Sequence, residues 1–238
     1  PADQPRDGIH VARDLEKLLI AAHVPAPYVV VGHSMAGARV HLFANRNPDK
    51  VVGLVLVDST TPDAMSDPQV AKYVADFTKD THMAAVTAQF GILKLLAGTG
   101  LGDKVGLPPE EDREKRAQFA SASYNRTAYE EVKYWPLAAE QAARTGPLNR
   151  DLPVAVVSAG VFDTGEGPQM LALQPPPARA SREGYVEVVA GATHNGLLGA
   201  RYHGAIVRGI DFVLQAVRNT PPQIIARERA GRMQLALR

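Results

Sequence analysis

The chain has 238 residues, 45% hydrophobic and 21% charged, a balance typical of one large globular domain or two small ones and not of a disordered chain. Its 26 basic residues nearly cancel the 25 acidic ones, so the charge gives no reason to expect nucleic acid or an anionic membrane as a partner. Cysteine is absent, which excludes disulfides, thiolate metal sites and cysteine nucleophiles and slightly favours a reducing cytoplasm.

The N-terminal segment begins at Pro1, with no initiator methionine and no visible signal peptide, so a processed protein and a fragment both fit and the compartment stays undecided. No apolar run reaches the roughly 18 residues that a membrane-spanning helix needs. Apolar residues spaced by three and four predict an amphipathic helix over residues 9–22, which Pro25 and Pro27 terminate.

A strand–helix–strand pattern follows this helix. The β-branched run at 28–32 is typical of a strand buried on both faces. A tight turn leads from it into a predicted helix over 38–45, and a second buried strand is predicted over 51–57. This order is the βαβ rhythm of an α/β domain with a mainly parallel sheet.

The stretch after the second strand changes character, because its pattern is helical and it has few β-branched runs. Its charge run at 110–116 is typical of a solvated helix face. Strand patterns return at 153–158 and 185–190, and a last main helix is predicted over 202–217. We therefore expect a core formed by 1–60 and 151–220, a helical cap over 61–150 and a tail over 221–238.

The turn after the first strand, Gly32-His33-Ser34-Met35-Ala36, departs from G-x-S-x-G only in its last residue. A strand running straight into such a turn and a helix leaving it are the context of a nucleophile elbow, which lifts the serine above the sheet. Small residues at Gly32 and Ala36 let strand and helix approach without a clash, and Gly37 adds room. The alternative is an ordinary strand-to-helix turn that contains a serine by chance.

The run PYVVVGHSMAGARVHLFANRNPDKVVGLVLVDST resembles the core of serine α/β-hydrolases of the esterase and lipase type. The resemblance continues through 153–158 and through Val189-Ala190-Gly191-Ala192-Thr193-His194. It implies an α/β-hydrolase fold with a cap, and a Ser-His-Asp catalytic triad that cleaves a carboxylic ester through an acyl-enzyme. It implies no cofactor and no metal.

The general base that activates Ser34 must be a histidine close to it in space. Among the seven histidines, His194 lies in a loop directly after the last predicted strand, where the fold places its base. His33 is too close in sequence to Ser34 to turn back on it. The resemblance places the acid after the strand at 153–158, which makes Asp163 the leading candidate.

Two other carboxylates stay open as the acid. Glu166 lies three residues beyond the leading candidate, and Asp58 ends the strand 51–57, where some family members place their acid. In its other interpretation Asp58 caps a turn at the end of a strand.

The oxyanion hole needs two backbone donors, and the Met35 N–H is expected to be one of them. In this family the second comes from a loop after an early strand, and no such loop precedes Ser34. Only four strands are counted. We therefore expect that the N-terminal part of the sheet is missing or supplied by another chain, which leaves 28–32 as an open edge that could promote oligomers.

The expected substrate is a small-molecule ester. The apolar and aromatic residues of the cap, Trp135 among them, weakly indicate an apolar one, although the same residues would be needed to pack the cap. The alternative function is a non-catalytic ligand-binding or interaction protein with the α/β-hydrolase fold.

Overall fold

The computed structural model of the protein describes residues 4–98, 105–161 and 171–219 and contains a sheet of four parallel strands. The strands are β1 (Tyr28–His33), β2 (Val51–Val57), β3 (Val154–Ala159) and β4 (Gly184–Val189). They lie side by side in chain order, and every adjacent pair is parallel. The predicted parallel sheet is thus confirmed, with each strand within one residue of its expected bounds.

Helices flank this sheet and form the insertion between β2 and β3. The described helices are α1 (Gly8–Ala21), α2 (Ala36–Arg46), α3 (Pro68–Gln89), α4 (Ile92–Gly98), α5 (Pro109–Phe119), α6 (Ala122–Lys133), α7 (Trp135–Ala143), α8 (Pro176–Ala180) and α9 (His203–Asn219). None of them combines the length and the apolar character that crossing a membrane requires. The predicted tail over 221–238 lies outside the described residues.

The two central strands are covered on both faces, which explains their unbroken apolar sequences. Leu54 and Val156 point into an apolar cluster formed with α1, α2 and α7. Val55 and Val157 point to the opposite face, where α9 packs. Gly209 lets α9 come close there, because a Cβ on it would lie 3.1 Å from the side chain of Val157.

The strand order places β1 at one edge of the described sheet, as expected from the count of strands. It pairs with β2 on one side and with no other described strand. The side chain of Val31 is accordingly 45% exposed.

The helical insertion divides into two parts. Helices α3 and α6 pack together over a buried cluster that includes Val70, Val132 and Trp135 and contacts Met35. Helix α7 contributes Trp135 to this cluster and also packs against α1 and α2, where its Ala142 belongs to the same apolar cluster as Leu54. It therefore joins the rest of the insertion to the core. The bounds 61–150 stay a prediction, and residues 99–104 of this stretch lie outside the described residues.

An ion-pair cluster joins the insertion to the helix that follows Ser34. Glu131 on α6 accepts hydrogen bonds from Arg6 at 2.8 Å and from Arg39 on α2 at 2.9 Å. Burial raises the pKa of Glu131, but the two guanidinium groups outweigh it and hold the pKa below its ordinary value. The Glu131 carboxylate is thereby paired with two cations, and the C-terminal end of α6 is joined to α2.

Candidate active site

Ser34 directly follows β1 in a backbone conformation that a serine rarely adopts, with φ at 59°. Its N–H donates to the Val57 carbonyl at 3.1 Å, and its carbonyl accepts from the N–H groups of Gly37 at 3.1 Å and Thr60 at 3.2 Å. A non-glycine residue with positive φ costs about 1–3 kcal/mol and persists only where its surroundings hold it. The three hydrogen bonds stabilise the positive φ of Ser34. The turn therefore has the backbone conformation of a nucleophile elbow.

Two glycines allow the close approach of strand and helix at this turn. A Cβ on Gly37 would lie 2.4 Å from the Thr60 carbonyl oxygen, and one on Gly32 would lie 2.8 Å from the Val40 side chain. Ala36 was predicted to occupy the second tight position. The structure places the tighter approach at Gly37, which explains how the turn tolerates alanine at the last position of the motif.

A buried carboxylate and an exposed imidazole meet beside this turn. The Nδ1–H of His194 donates to Asp58 Oδ2 at 2.6 Å. Asp58 directly follows β2, is 8% exposed and has a positive φ of 41°, whereas the His194 side chain is 41% exposed. His33 pairs with Val57 in the parallel register, and these are the last residues of β1 and β2. Ser34 and Asp58, which follow them, therefore lie together at the C-terminal ends of the strands.

This hydrogen bond bears on the choice of acid. The leading candidate Asp163 and the alternative Glu166 both lie outside the described residues. Among the described residues, the carboxylate that the structure joins to His194 is Asp58, the alternative after the earlier strand, and the assignment of Asp163 stays a prediction. The contact forms because β2 is central and the loop after β4 reaches back across β3 to it.

The other oxygen of Asp58 is held by donors that sequence analysis did not find. Asp58 Oδ1 accepts from the Ala159 N–H at 3.0 Å and from Gln174 Nε2 at 3.0 Å. Burial raises the pKa of Asp58, but the hydrogen bonds from His194, Ala159 and Gln174 outweigh it and the pKa lies below its ordinary value. Asp58 is thus an ionised carboxylate with a fixed orientation.

His33 stacks on His194, a contact that the sequence analysis missed because it considered His33 only as a partner for Ser34. The two ring centroids are 4.4 Å apart with the planes inclined by 28°, and His33 Nε2 lies 3.3 Å from the His194 carbonyl oxygen. Burial, and then the nearby His194, lower the pKa of His33 to about 4. The neutral ring can donate Nε2–H to that carbonyl, so His33 supports both the ring and the backbone of His194.

We predict that His33 makes the fold sensitive to mild acid. Its pKa falls from 6.5 to about 4 on folding, so between these values the unfolded chain binds a proton that the folded chain does not. Stability should therefore fall as the pH drops from 6.5 toward 4, by up to roughly 3 kcal/mol from this group. Urea unfolding at several pH values measures this effect. The free energy of unfolding should fall less steeply with decreasing pH in His33→Asn than in the parent chain.

The matched control for this experiment is His23→Asn. His23 is exposed and has a φ of 53°, which asparagine tolerates. This control should keep the parental pH dependence. If His33→Asn and His23→Asn lose stability equally steeply with falling pH, the assigned role of His33 is wrong.

Met35 begins the turn into α2 directly after Ser34. The first N–H groups of a helix have no partner within it, so the Met35 N–H stays the predicted oxyanion donor. Within the ranges that the structure describes, no group of three histidine, aspartate or glutamate side chains is arranged to hold a metal ion. Within the same ranges, the hydrogen bond that the structure gives the His194 ring is the one from Nδ1 to Asp58, and none joins the ring to the Ser34 hydroxyl.

Three solved structures similar to this chain are described as hydrolases, and their sequence identity to it is low. A laboratory-evolved variant of potato epoxide hydrolase superposes with a TM-score of 0.63 at 18% identity, covering 90% of this chain and 79% of that one. A carboxylesterase of the thaumarchaeon Nitrososphaera gargenis gives 0.58 at 14%, covering 88% and 73%. A putative lipase of Acinetobacter baumannii AYE gives 0.56 at 16%, covering 92% and 71%. At such identities the likeness shows the fold alone.

Two sequence comparisons complete these findings. A curated protein described as a probable transporter, from Hormonema carpetanum, is 38% identical over 63 residues, which span 26% of this chain and 9% of that protein. The model of the alpha/beta hydrolase fold family matches residues 3–154, well over half of the 238 residues. With the parallel sheet and the elbow described above, this match shows that the chain belongs to the alpha/beta hydrolase family.

Proposed function

We propose that this hydrolase cleaves a carboxylic ester of a small molecule, with Ser34 as nucleophile, His194 as general base and Asp58 as the acid that orients it. The observation that carries the proposal is the 2.6 Å hydrogen bond between His194 Nδ1 and Asp58, formed at the edge of the sheet where Ser34 is held with positive φ. Nδ1 is occupied by the carboxylate, which leaves Nε2 as the ring atom that can take the serine proton.

Acylation is the first half of the proposed reaction. His194 Nε2 removes the Ser34 proton while Oγ attacks the ester carbonyl carbon, and the carbonyl oxygen becomes an oxyanion. The Met35 N–H stabilises that oxyanion. The intermediate collapses when the bond to the alkoxy oxygen breaks and the imidazolium returns its proton to that oxygen, which releases the alcohol.

Deacylation repeats these roles with water. His194 Nε2 takes a proton from a water molecule, the water oxygen attacks the acyl carbon, and the proton passes to Ser34 as the carboxylic acid leaves. Asp58 stabilises the imidazolium in both halves and keeps its own charge. This chemistry requires no metal or cofactor.

An ester is favoured over other substrates of this fold because of the nucleophile. A serine in the elbow supports acyl transfer, whereas an aspartate there would support displacement on an epoxide or an alkyl halide. The cluster of Val70, Val132 and Trp135 beside Met35 places apolar side chains next to the turn. Together with the apolar composition of the cap, this supports an apolar group on the ester.

A fluorophosphonate probe tests this proposal, because it reacts at a useful rate only with an activated serine. In the natural protein the probe should attach to Ser34, as located by peptide mass mapping. His194→Ala should slow the attachment by several orders of magnitude, whereas the exposed-site control His23→Asn should label at the parental rate. Labelling that is equally slow with and without His194 would mean a binding protein instead of an enzyme.

A further inference from the structure

We propose that Gln174 and Ser158 are positioning residues that hold the Asp58 carboxylate in the orientation its hydrogen bond to His194 needs. This inference rests on the proposed function of the same site. Gln174 and Ser158 touch neither Ser34 nor the imidazole in the structure, and no sequence motif pointed to them.

The contacts form a single line of hydrogen bonds from the core of the sheet to the imidazole. The Ser158 hydroxyl donates to Gln174 Oε1 at 2.5 Å, Gln174 Nε2 donates to Asp58 Oδ1 at 3.0 Å, and His194 Nδ1 donates to Asp58 Oδ2 at 2.6 Å. Ser158 is fully buried and Gln174 is 5% exposed. An unpaired polar group at such burial would be costly. Here the Ser158 hydroxyl, the Gln174 amide and the Asp58 carboxylate each have a hydrogen-bond partner.

The Asp58 carboxylate decides which way the amide of Gln174 points. In the reverse orientation an amide oxygen would face a carboxylate oxygen, and two acceptors would repel each other. With the NH₂ group facing Asp58, Oε1 faces Ser158, whose hydroxyl donates to it. The serine therefore holds the far side of the amide in place, and the amide holds the carboxylate.

The backbone around these residues restricts their movement. Ser158 lies in β3, between β2 and β4. Gln174 precedes Pro175, Pro176 and Pro177, whose rings restrict φ, and the residue before a proline is itself limited in conformation. Ser158 and Gln174 are therefore both attached to stiff chain, which suits groups that position a third.

The consequence for Asp58 is that each of its oxygens has a separate task. Oδ1 is held by the Ala159 N–H and Gln174, and Oδ2 is left for His194. Among the described residues, the titratable groups that interact with the carboxylate are His194 and His33. Loss of the amide would leave Oδ1 with one donor and would let the carboxylate rotate away from the imidazole.

Gln174→Met tests the proposal, because methionine keeps the length of the side chain and removes both the donor and the acceptor. We expect kcat/KM for a p-nitrophenyl ester to fall by roughly ten- to a hundredfold, the usual effect of losing one hydrogen bond to a charged group. The loss should be in kcat, with KM little changed. The acid limb of the pH profile of kcat/KM should move to higher pH. The reason is that the pKa of Asp58 rises when a hydrogen-bond donor to its ionised form is lost.

A double-mutant cycle separates positioning from a general loss of stability. Ser158→Ala should lower kcat less than Gln174→Met does, and it should have no further effect in the Gln174→Met background, since Ser158 acts only through the amide. If Gln174→Met does not fold, Ser158→Ala by itself must still move the acid limb upward.

Gln141→Met is the matched control. Gln141 accepts a hydrogen bond from the Ile9 N–H at 3.0 Å, within the layer formed by α1 and α7. This variant should lose stability and leave both kcat and the acid limb unchanged. Additive effects of Ser158→Ala and Gln174→Met, or an unmoved acid limb, would overturn the proposal. If fluorophosphonate also failed to label Ser34, the proposed function itself would have failed.

Discussion

Ser34→Ala should lower the turnover of a short p-nitrophenyl ester by about a millionfold, the scale seen when a triad nucleophile is removed. Without the hydroxyl there is no acyl-enzyme, and only binding and the oxyanion donor can still assist water. The fold should survive, because the hydrogen bonds that hold the turn come from the backbone of Ser34. Ester kinetics and circular dichroism on the same preparation measure both effects.

The control for this substitution is Ser123→Ala, an exposed serine on α6 whose hydroxyl contacts Ser121. This variant should hydrolyse the ester at the parental rate. A Ser34→Ala protein that kept a tenth of the parental rate would remove Ser34 from the mechanism.

Asp58→Asn should lower turnover by about ten-thousandfold while binding of the ester changes little. The asparagine amide matches the carboxylate in shape, but it can present a donor to Nδ1, which favours the wrong tautomer of His194. It also cannot stabilise the imidazolium that forms when Ser34 gives up its proton. Steady-state kinetics with one p-nitrophenyl ester would show the loss in kcat.

Asp163→Asn is the informative counterpart, because the resemblance to serine hydrolases placed the acid there. We expect this variant to keep a rate close to that of the parent chain. Turnover that fell ten-thousandfold in Asp163→Asn and not in Asp58→Asn would place the catalytic acid after β3. The hydrogen bond of Asp58 to His194 would then have only a structural role.

Local sequence features were enough to predict the sheet and the elbow. The β-branched runs at 28–32 and 51–57 have no helical alternative of comparable strength, and both form strands. The strand at 51–57 is buried on both faces as predicted, whereas that prediction was wrong for 28–32, because β1 lies at the edge of the described sheet and Val31 is 45% exposed. Ser34 and His194 were predicted from the same features, because Ser34 lies in the turn after β1 and His194 in the loop after β4.

The partners of His194 could not be predicted in the same way, because they depend on which strand lies beside which. Asp58 and Asp163 both follow buried strands, and sequence alone does not say how far the loop after β4 reaches across the sheet. Gln174 comes to Asp58 from 116 residues away along the chain, and no spacing or motif signals the contact. The stack of His33 on His194 is similarly a product of tertiary packing.

The contacts of α7 could not be predicted for a related reason. Helical periodicity continues from the insertion into α7, so the pattern contains no boundary. Which helices lie on the sheet is decided by packing, and the buried Ala139 and Ala142 of α7 are small enough for a close approach to α1 and α2. Small apolar residues in a helix are common and predict no particular partner.

Trapping of the covalent intermediate tests the central claim most directly. A p-nitrophenyl carbamate releases p-nitrophenol when it carbamoylates a nucleophile, and water attacks the resulting carbamoyl-enzyme slowly. After an acid quench, mass mapping should find one carbamoyl group per chain, on the hydroxyl of Ser34, in amounts equal to the p-nitrophenol released. Release of p-nitrophenol with Ser34 unmodified, or with the carbamoyl group on another residue, would contradict the assignment of this site.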